Sequence, residues 1–197
     1  ILFHSNPCDA IVGCQNQYSF EDSCCDSITM KRKFLILYLH FPQLKNVNYA
    51  FHNQKIEEIA ADICRKIELL HRMIHIYRLG NDEFAIMLYI KDESKIRDFL
   101  SNVENIISDE LSRASYVVNY RIVAIQNNPV LTSAHRLRSM SEFLFSKLEN
   151  ESGNMCYLAS DEDYRQFYEN YRIEQLLLDI RNQSNLDDPR VLCYAQP

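Results

Sequence analysis

The chain has 197 residues, 47% of them hydrophobic, with a formal net charge of -6 and a pI near 5.5. That is enough apolar material for one well-filled domain plus an appended helix or linker, and it excludes intrinsic disorder. The acidic balance excludes a general affinity for nucleic acid, whose phosphates require a basic face, so any phosphate ligand has to be held locally.

Seven cysteines, at positions 8, 14, 24, 25, 64, 156 and 193, form no CxxC pair and no zinc-type Cys/His spacing. An odd count without a framework is expected of reduced thiols in the cytoplasm, with Cys64 a small core residue and Cys24-Cys25 a packing pair. No apolar run reaches the length of a membrane span, and Ile1-Leu2-Phe3-His4 does not open a signal peptide. The piece is therefore expected to be soluble and free of membrane contact. It begins without Met and stops at Ala195-Gln196-Pro197, as an excised part of a longer polypeptide would, and an upstream membrane anchor stays open.

Residues 18–26 open the chain as a short helix, and residues 33–39, Lys-Phe-Leu-Ile-Leu-Tyr-Leu, form a near-continuous apolar run that predicts a central strand. Pro42 ends that pairing. Over 54–70, Ile56, Ile59, Ala60, Ile63, Ile67 and Leu70 recur at spacings of three and four, the stripe of an amphipathic helix. The runs 74–79 and 84–90 flank Gly80-Asn81-Asp82-Glu83 and predict a β-hairpin, with Gly80 and Asn81 tolerating positive φ at the turn. Asp82 and Glu83 then sit at its tip, where adjacent carboxylates can hold a divalent cation against a triphosphate. A solvated polar turn is the plain alternative.

A second amphipathic helix covers 94–113, a β-branched strand 116–126, a helix 133–148, a short strand 155–158 and a long helix 161–184. Helices segregated around a central hairpin predict an α+β fold, a mainly antiparallel central sheet flanked by helices with a ferredoxin-like core. Lys31, Arg32 and Lys33 read as a solvated strand entry, His71 and His75 as partly exposed, and the rings of 164–171 as helix packing. No internal repeat or Gly-rich phosphate loop is present.

This order, together with three dispersed motifs, resembles the GGDEF domain of bacterial diguanylate cyclases over residues 6–158. Asp9-Ala-Ile-Val-Gly13-Cys-Gln-Asn16-Gln17-Tyr-Ser-Phe20 resembles the family's Asp-x-Leu-Thr-Gly-Leu-x-Asn-Arg-x-x-Phe, with Gln17 in place of arginine. Leu44-Lys45-Asn46-Val47-Asn48 resembles Phe-Lys-x-Ile-Asn, and Arg78-Leu79-Gly80-Asn81-Asp82-Glu83-Phe84 resembles Arg-x-Gly-Gly-Asp-Glu-Phe. The resemblance implies a nucleotidyl-cyclase-like fold and a site that condenses two GTP into cyclic di-GMP across two facing domains, hence a homodimer as one partner arrangement. It implies Mg²⁺ on two carboxylate positions, one at the end of the first core strand and one on the hairpin.

The hairpin position is Asp82, with Glu83 as the catalytic carboxylate if the domain is active. The strand-end position falls on His40, and imidazole is a poor ligand for Mg²⁺. Asn48, Glu57, Gly80 and Asn81 take the nucleotide-binding positions, with Glu57 where the family has aspartate. The basic phosphate stretch survives only loosely over 147–154, and the Arg-x-x-Asp product-inhibition motif, aligned with residues 71–74, is absent. Residues 171–180 and Leu192-Cys193-Tyr194-Ala195-Gln196-Pro197 resemble the linker and first strand of an EAL phosphodiesterase domain. The expectation is a degenerate GGDEF domain over 1–160 and a linker plus the start of an EAL domain over 161–197. As a non-catalytic regulatory or GTP-binding module it would act on that C-terminal EAL partner. A weakly active cyclase and a ligand-free dimerisation spacer are the alternatives.

Overall fold

The computed structural model describes residues 13–42, 53–89, 92–114 and 119–182, the side chains of 53–57 excepted. The chain forms two compact units, Ile1–Ala159 and Ser160–Pro197.

The first unit is built on the apolar run expected to be a central strand. After β1 (Gln15–Asn16) and α1 (Gln17–Thr29), this run forms β2 (Phe34–His40), buried along its length until His40. A strand apolar at every position needs cover on both faces and both edges. β2 has both, pairing antiparallel with β4 (Glu83–Tyr89) on one side and with β5 (Arg121–Gln126) on the other. β3 (Ile74–Arg78) adds antiparallel to β4, β1 lies parallel to β3, and β6 (Met155–Leu158) lies parallel to β5, giving the order β1-β3-β4-β2-β5-β6. The architecture is the expected α+β sheet flanked by helices, with antiparallel pairing at its centre and parallel pairing at both edges. β1 was not expected: two polar residues carry no strand periodicity.

Alternation along β2 sends Leu35, Leu37 and Leu39 to one face, where they share a core with Ala60, Ile63 and Ile67 of α2 (Asn53–Glu68) and Leu100, Val103 and Ile107 of α3 (Ile96–Arg113). Tyr38 and His40 take the other face. Phe20 of α1 meets Tyr38 edge-on at 5.9 Å, and Phe145 of α4 (Ala134–Lys147) meets His40 at 5.7 Å. Helix starts are fixed by side-chain caps: Asn16 Oδ1 accepts from Ser19 N at 3.1 Å and Ser133 Oγ from Arg136 N at 3.2 Å. α3 is tied to α2 by the buried Glu110, which accepts from Lys66 and, at 2.7 Å, from Arg113.

In the second unit, α5 (Asp161–Asn182) carries Asp161, Glu162 and Asp163 in its first turn, favourable at the positive end of the helix dipole. Asp163 accepts from Ser160 N at 2.8 Å and Ser160 Oγ at 2.6 Å. The final turn expected to 184 lies outside the described residues. No helix among the described residues is long and apolar enough to cross a membrane.

Cys24 and Cys64 are buried, as a packing role requires, while Cys25 is exposed. Burial pushes the Cys24 thiol up to about 12, with the same cause at Cys156 and at the Tyr77 phenol. Alkylation by iodoacetamide at pH 8 is therefore expected to modify Cys25 well before Cys24 or Cys156, as read by peptide mass spectrometry. The raised values also set an alkaline limit. These groups stay neutral in the fold but ionise from about pH 9 once unfolded, so their stabilisation is complete below that pH and is lost as pH rises towards 12. The urea midpoint at about pH 10.5 is expected to fall below that at pH 8.

Candidate functional site

The β3–β4 connection is the hairpin that the apolar runs predict, with residues 79–82 as its loop. Leu79 N and Gly80 N both donate to Glu83 O, at 2.9 and 3.2 Å, and Arg78 Nε donates to Gly80 O at 3.0 Å. Neither Gly80 nor Asn81 adopts the positive φ that both tolerate; among the described residues Lys31 is the non-glycine residue with positive φ, at 52°. A four-residue loop closed onto the Glu83 carbonyl reverses the chain without the left-handed geometry that a two-residue hairpin requires. The loop is also anchored sideways, since Phe41 N donates to Asp82 O at 3.0 Å.

Asp82 closes this loop, and Glu83 lies just past the tip, as the first residue of β4 opposite His40 of β2. Both acidic side chains are already engaged by side chains of the protein. His40 Nε2 and Asp82 Oδ2 are 3.3 Å apart, and Arg138 of α4 donates through Nη2 to Glu83 Oε2 at 2.7 Å. Arg138 also lies 3.5 Å from Glu142, one turn along its own helix. A backbone partner is the simple expectation for a strand-end histidine, but the ring meets the Asp82 carboxylate. Arg138 is the functional residue that sequence reasoning misses. It lies 55 residues from Glu83, and the only local signal is the i,i+4 pairing with Glu142 that any surface helix can carry.

Of the other expected site residues, Asn48 lies outside the described residues, and Glu57 falls on α2 with its side chain outside them. The structure thus brings Gly80, Asn81, Asp82, Glu83 and His40 together and leaves the proposed guanine contacts undescribed. Around the loose phosphate stretch, Lys147 stands over the Tyr157 ring at 5.8 Å, and Asn154 Oδ1 accepts from Tyr120 N at 3.1 Å, a structural task at the β5 entry.

Mg²⁺ takes hard oxygen donors in octahedral geometry. The donors here are one carboxylate facing an imidazole and a second carboxylate held by a guanidinium, and no group of three His, Cys, Asp or Glu side chains converges among the described residues. That set does not fit a two-carboxylate Mg²⁺ site. Chemically it is a polar surface with one fixed cation, Arg138, in which Asp82 and Glu83 retain partial solvent access, 20% and 19%.

Neither a protein-family model nor a curated protein sequence matches the chain. Solved structures do. The GGDEF domain of TpbB (YfiN) from Pseudomonas aeruginosa superposes with a TM-score of 0.63 at 19% identity, covering 80% of this chain and 97% of that one. The GGDEF domain of DgcB from Caulobacter crescentus, determined in complex with c-di-GMP, gives 0.63 at 16% identity over 82% and 97%. An active GGEEF domain of a diguanylate cyclase from Vibrio cholerae gives 0.61 at 11% identity over 75% and 98%. The chain has the fold of GGDEF domains.

The Arg138–Glu83 contact is testable apart from any ligand. In a double-mutant cycle of Arg138→Met and Glu83→Gln, the coupling is expected to be about 1 kcal/mol for such a half-exposed pair, and smaller in 1 M salt.

Proposed function

We propose that the chain is a degenerate GGDEF domain, a non-catalytic regulatory or GTP-binding module of bacterial cyclic di-GMP signalling that acts on a C-terminal EAL domain of the same polypeptide. The observation that carries this reading is the internal pairing of both hairpin carboxylates, Asp82 with His40 and Glu83 with Arg138. A metal would have to displace the Arg138 guanidinium from Glu83 and would then meet the His40 imidazole where a second carboxylate is needed. Phosphoryl transfer depends on positioned positive charge at the transferring group, so loss of the metal site removes several kcal/mol of transition-state stabilisation.

GTP binding on this reading relies on Asn48 and Glu57, the positions that resemble the family's guanine contacts, with Gly80 and Asn81 beside the phosphates. The Asp161–Asn182 helix is the element that would pass occupancy onward, because the sequence that follows it resembles the start of an EAL domain. A homodimer and a cytoplasmic setting belong to the same reading.

The second reading, a slow cyclase, draws on the partial exposure of the Asp82 and Glu83 side chains. Incubation with GTP and Mg²⁺, followed by chromatography, separates the two. Cyclic di-GMP is expected not to exceed the level given by Asp82→Ala, and accumulation abolished by that substitution would establish the cyclase instead. Calorimetry with GTP is expected to show heat that Asn48→Ala removes; no heat at all would leave a dimerisation spacer.

A further inference from the structure

Cys14, the residue before β1, and Cys64 of α2 belong to the same apolar core and are 6% and 7% exposed, both as free thiols. Their side chains meet. The Cys64 thiol donates a hydrogen bond to the Cys14 sulfur, and that bond, together with burial, holds the Cys64 thiol above its ordinary range. Positions 14 and 64 are far apart in sequence, so it is the fold that brings these two sulfurs side by side.

Converting that contact into a covalent bond asks for a small closure, to an S–S length of about 2 Å. The surroundings allow it. Cys64 also borders a void of about 10 Å³ lined by Leu39, Ala60, Ile63, Ile76 and Ile86, so the packing around its side chain has slack. Cys14 leads into β1, which is fixed to β3 by two residue pairs, Gln15 with Tyr77 and Asn16 with Arg78, and a shift of this strand entry towards α2 disturbs few ladder hydrogen bonds. Cys24 and Cys25 offer no equivalent pair: they are adjacent on α1, and the roughly 3.8 Å between neighbouring Cα atoms is shorter than the roughly 4.4 Å that a relaxed disulfide spans.

We infer that Cys14 and Cys64 form a redox modification site, oxidised by hydrogen peroxide to an intramolecular disulfide that ties the entry of β1 to α2. A sulfur that accepts a hydrogen bond is the better placed nucleophile, which assigns the first attack to Cys14. Its thiolate takes one peroxide oxygen, the O–O bond breaks, and hydroxide leaves with Cys14 as a sulfenic acid. The Cys64 sulfur then attacks the Cys14 sulfur, the S–O bond breaks, and the departing hydroxide takes the Cys64 proton to leave as water. In sum the two thiols give up two electrons and two protons, and one peroxide becomes two waters. A small uncharged oxidant suits thiols this deep in the core, where a bulky disulfide donor does not reach. The site lies apart from the hairpin carboxylates, so neither outcome of the cyclase assay bears on it.

Peroxide treatment of the folded chain, then alkylation by iodoacetamide in urea and non-reducing peptide mass spectrometry, tests the inference. Cleavage after Asp and Glu cuts at Asp9 and Glu21 and so separates Cys14 from Cys8, Cys24 and Cys25. A cross-linked pair holding Cys14 and Cys64 is expected, lighter by two hydrogens than its parts and parted again by dithiothreitol, with Cys24 and Cys156 still alkylated. Closing so long a loop is expected to raise the melting temperature by on the order of 10 °C, and dithiothreitol to reverse the rise. Cys64→Ala should abolish both effects and leave Cys14 as a sulfenic acid that dimedone traps. Because the link is read on the parent chain, the result stands even where that variant does not fold. Cys14 and Cys64 both still alkylated after peroxide has oxidised Cys25, or either of them linked to a different cysteine instead, would overturn it.

Discussion

The register of β2 against β4 is the constraint on which the rest depends. Leu37 lies opposite Ile86, Tyr38 opposite Ala85 and His40 opposite Glu83, and every residue of β2 through Leu39 is buried. Because a strand's side chains alternate with a period of two, a slip of one residue would carry Leu35, Leu37 and Leu39 away from α2 and α3 and turn Tyr38 into their core. The apolar pattern therefore fixes the pairing, and the pairing fixes where the polar site forms. His40 meets the hairpin because β2 runs out of apolar residues one position before β4 begins.

The electrostatic character of the site follows from that placement. Asp82 and Glu83 are neighbours in sequence, and two ionised carboxylates on one turn repel unless positive charge lies close. Here the strand end supplies an imidazole to one and α4 supplies a guanidinium to the other. With Glu83 paired to Arg138 and Asp82 hydrogen-bonded to His40, the hairpin has less to gain from a divalent cation than a bare acidic pair would. The fold is that of GGDEF domains, and fold alone does not decide activity.

What the sequence made legible was whatever had a period. β2, α2, the hairpin and α3 declare themselves through runs and stripes, and the structure places them within a few residues of expectation. The two-residue β1 has no period; it exists because Gln15 and Asn16 lie alongside Tyr77 and Arg78 of β3, a contact that no local pattern encodes. The hairpin was legible but its backbone was not: Gly80 and Asn81 permit positive φ, and permission is not requirement when four loop residues share the reversal. Arg138 was hidden for the same reason as β1, since it reaches Glu83 through tertiary packing of α4 on the sheet.

β4 itself joins these observations. Glu83, Ala85, Met87 and Tyr89 share one face by alternation, and Ala85 and Met87 are fully buried. The polar ends of that face are both fastened to helices: Glu83 to Arg138 of α4, and Tyr89 to Ser27 of α1, whose hydroxyls lie 3.0 Å apart. Arg32 adds a guanidinium 5.4 Å from the Tyr89 ring and His75 an edge contact at 6.0 Å. A strand held by polar contacts at each end and by apolar packing between them has one register that satisfies all three. In any other, Glu83 would lose its cation while Ala85 and Met87 would lose their cover. The charge pairing at the hairpin is therefore part of what selects the fold, and for that reason Asp82 and Glu83 belong to the stability of this domain as well as to its site.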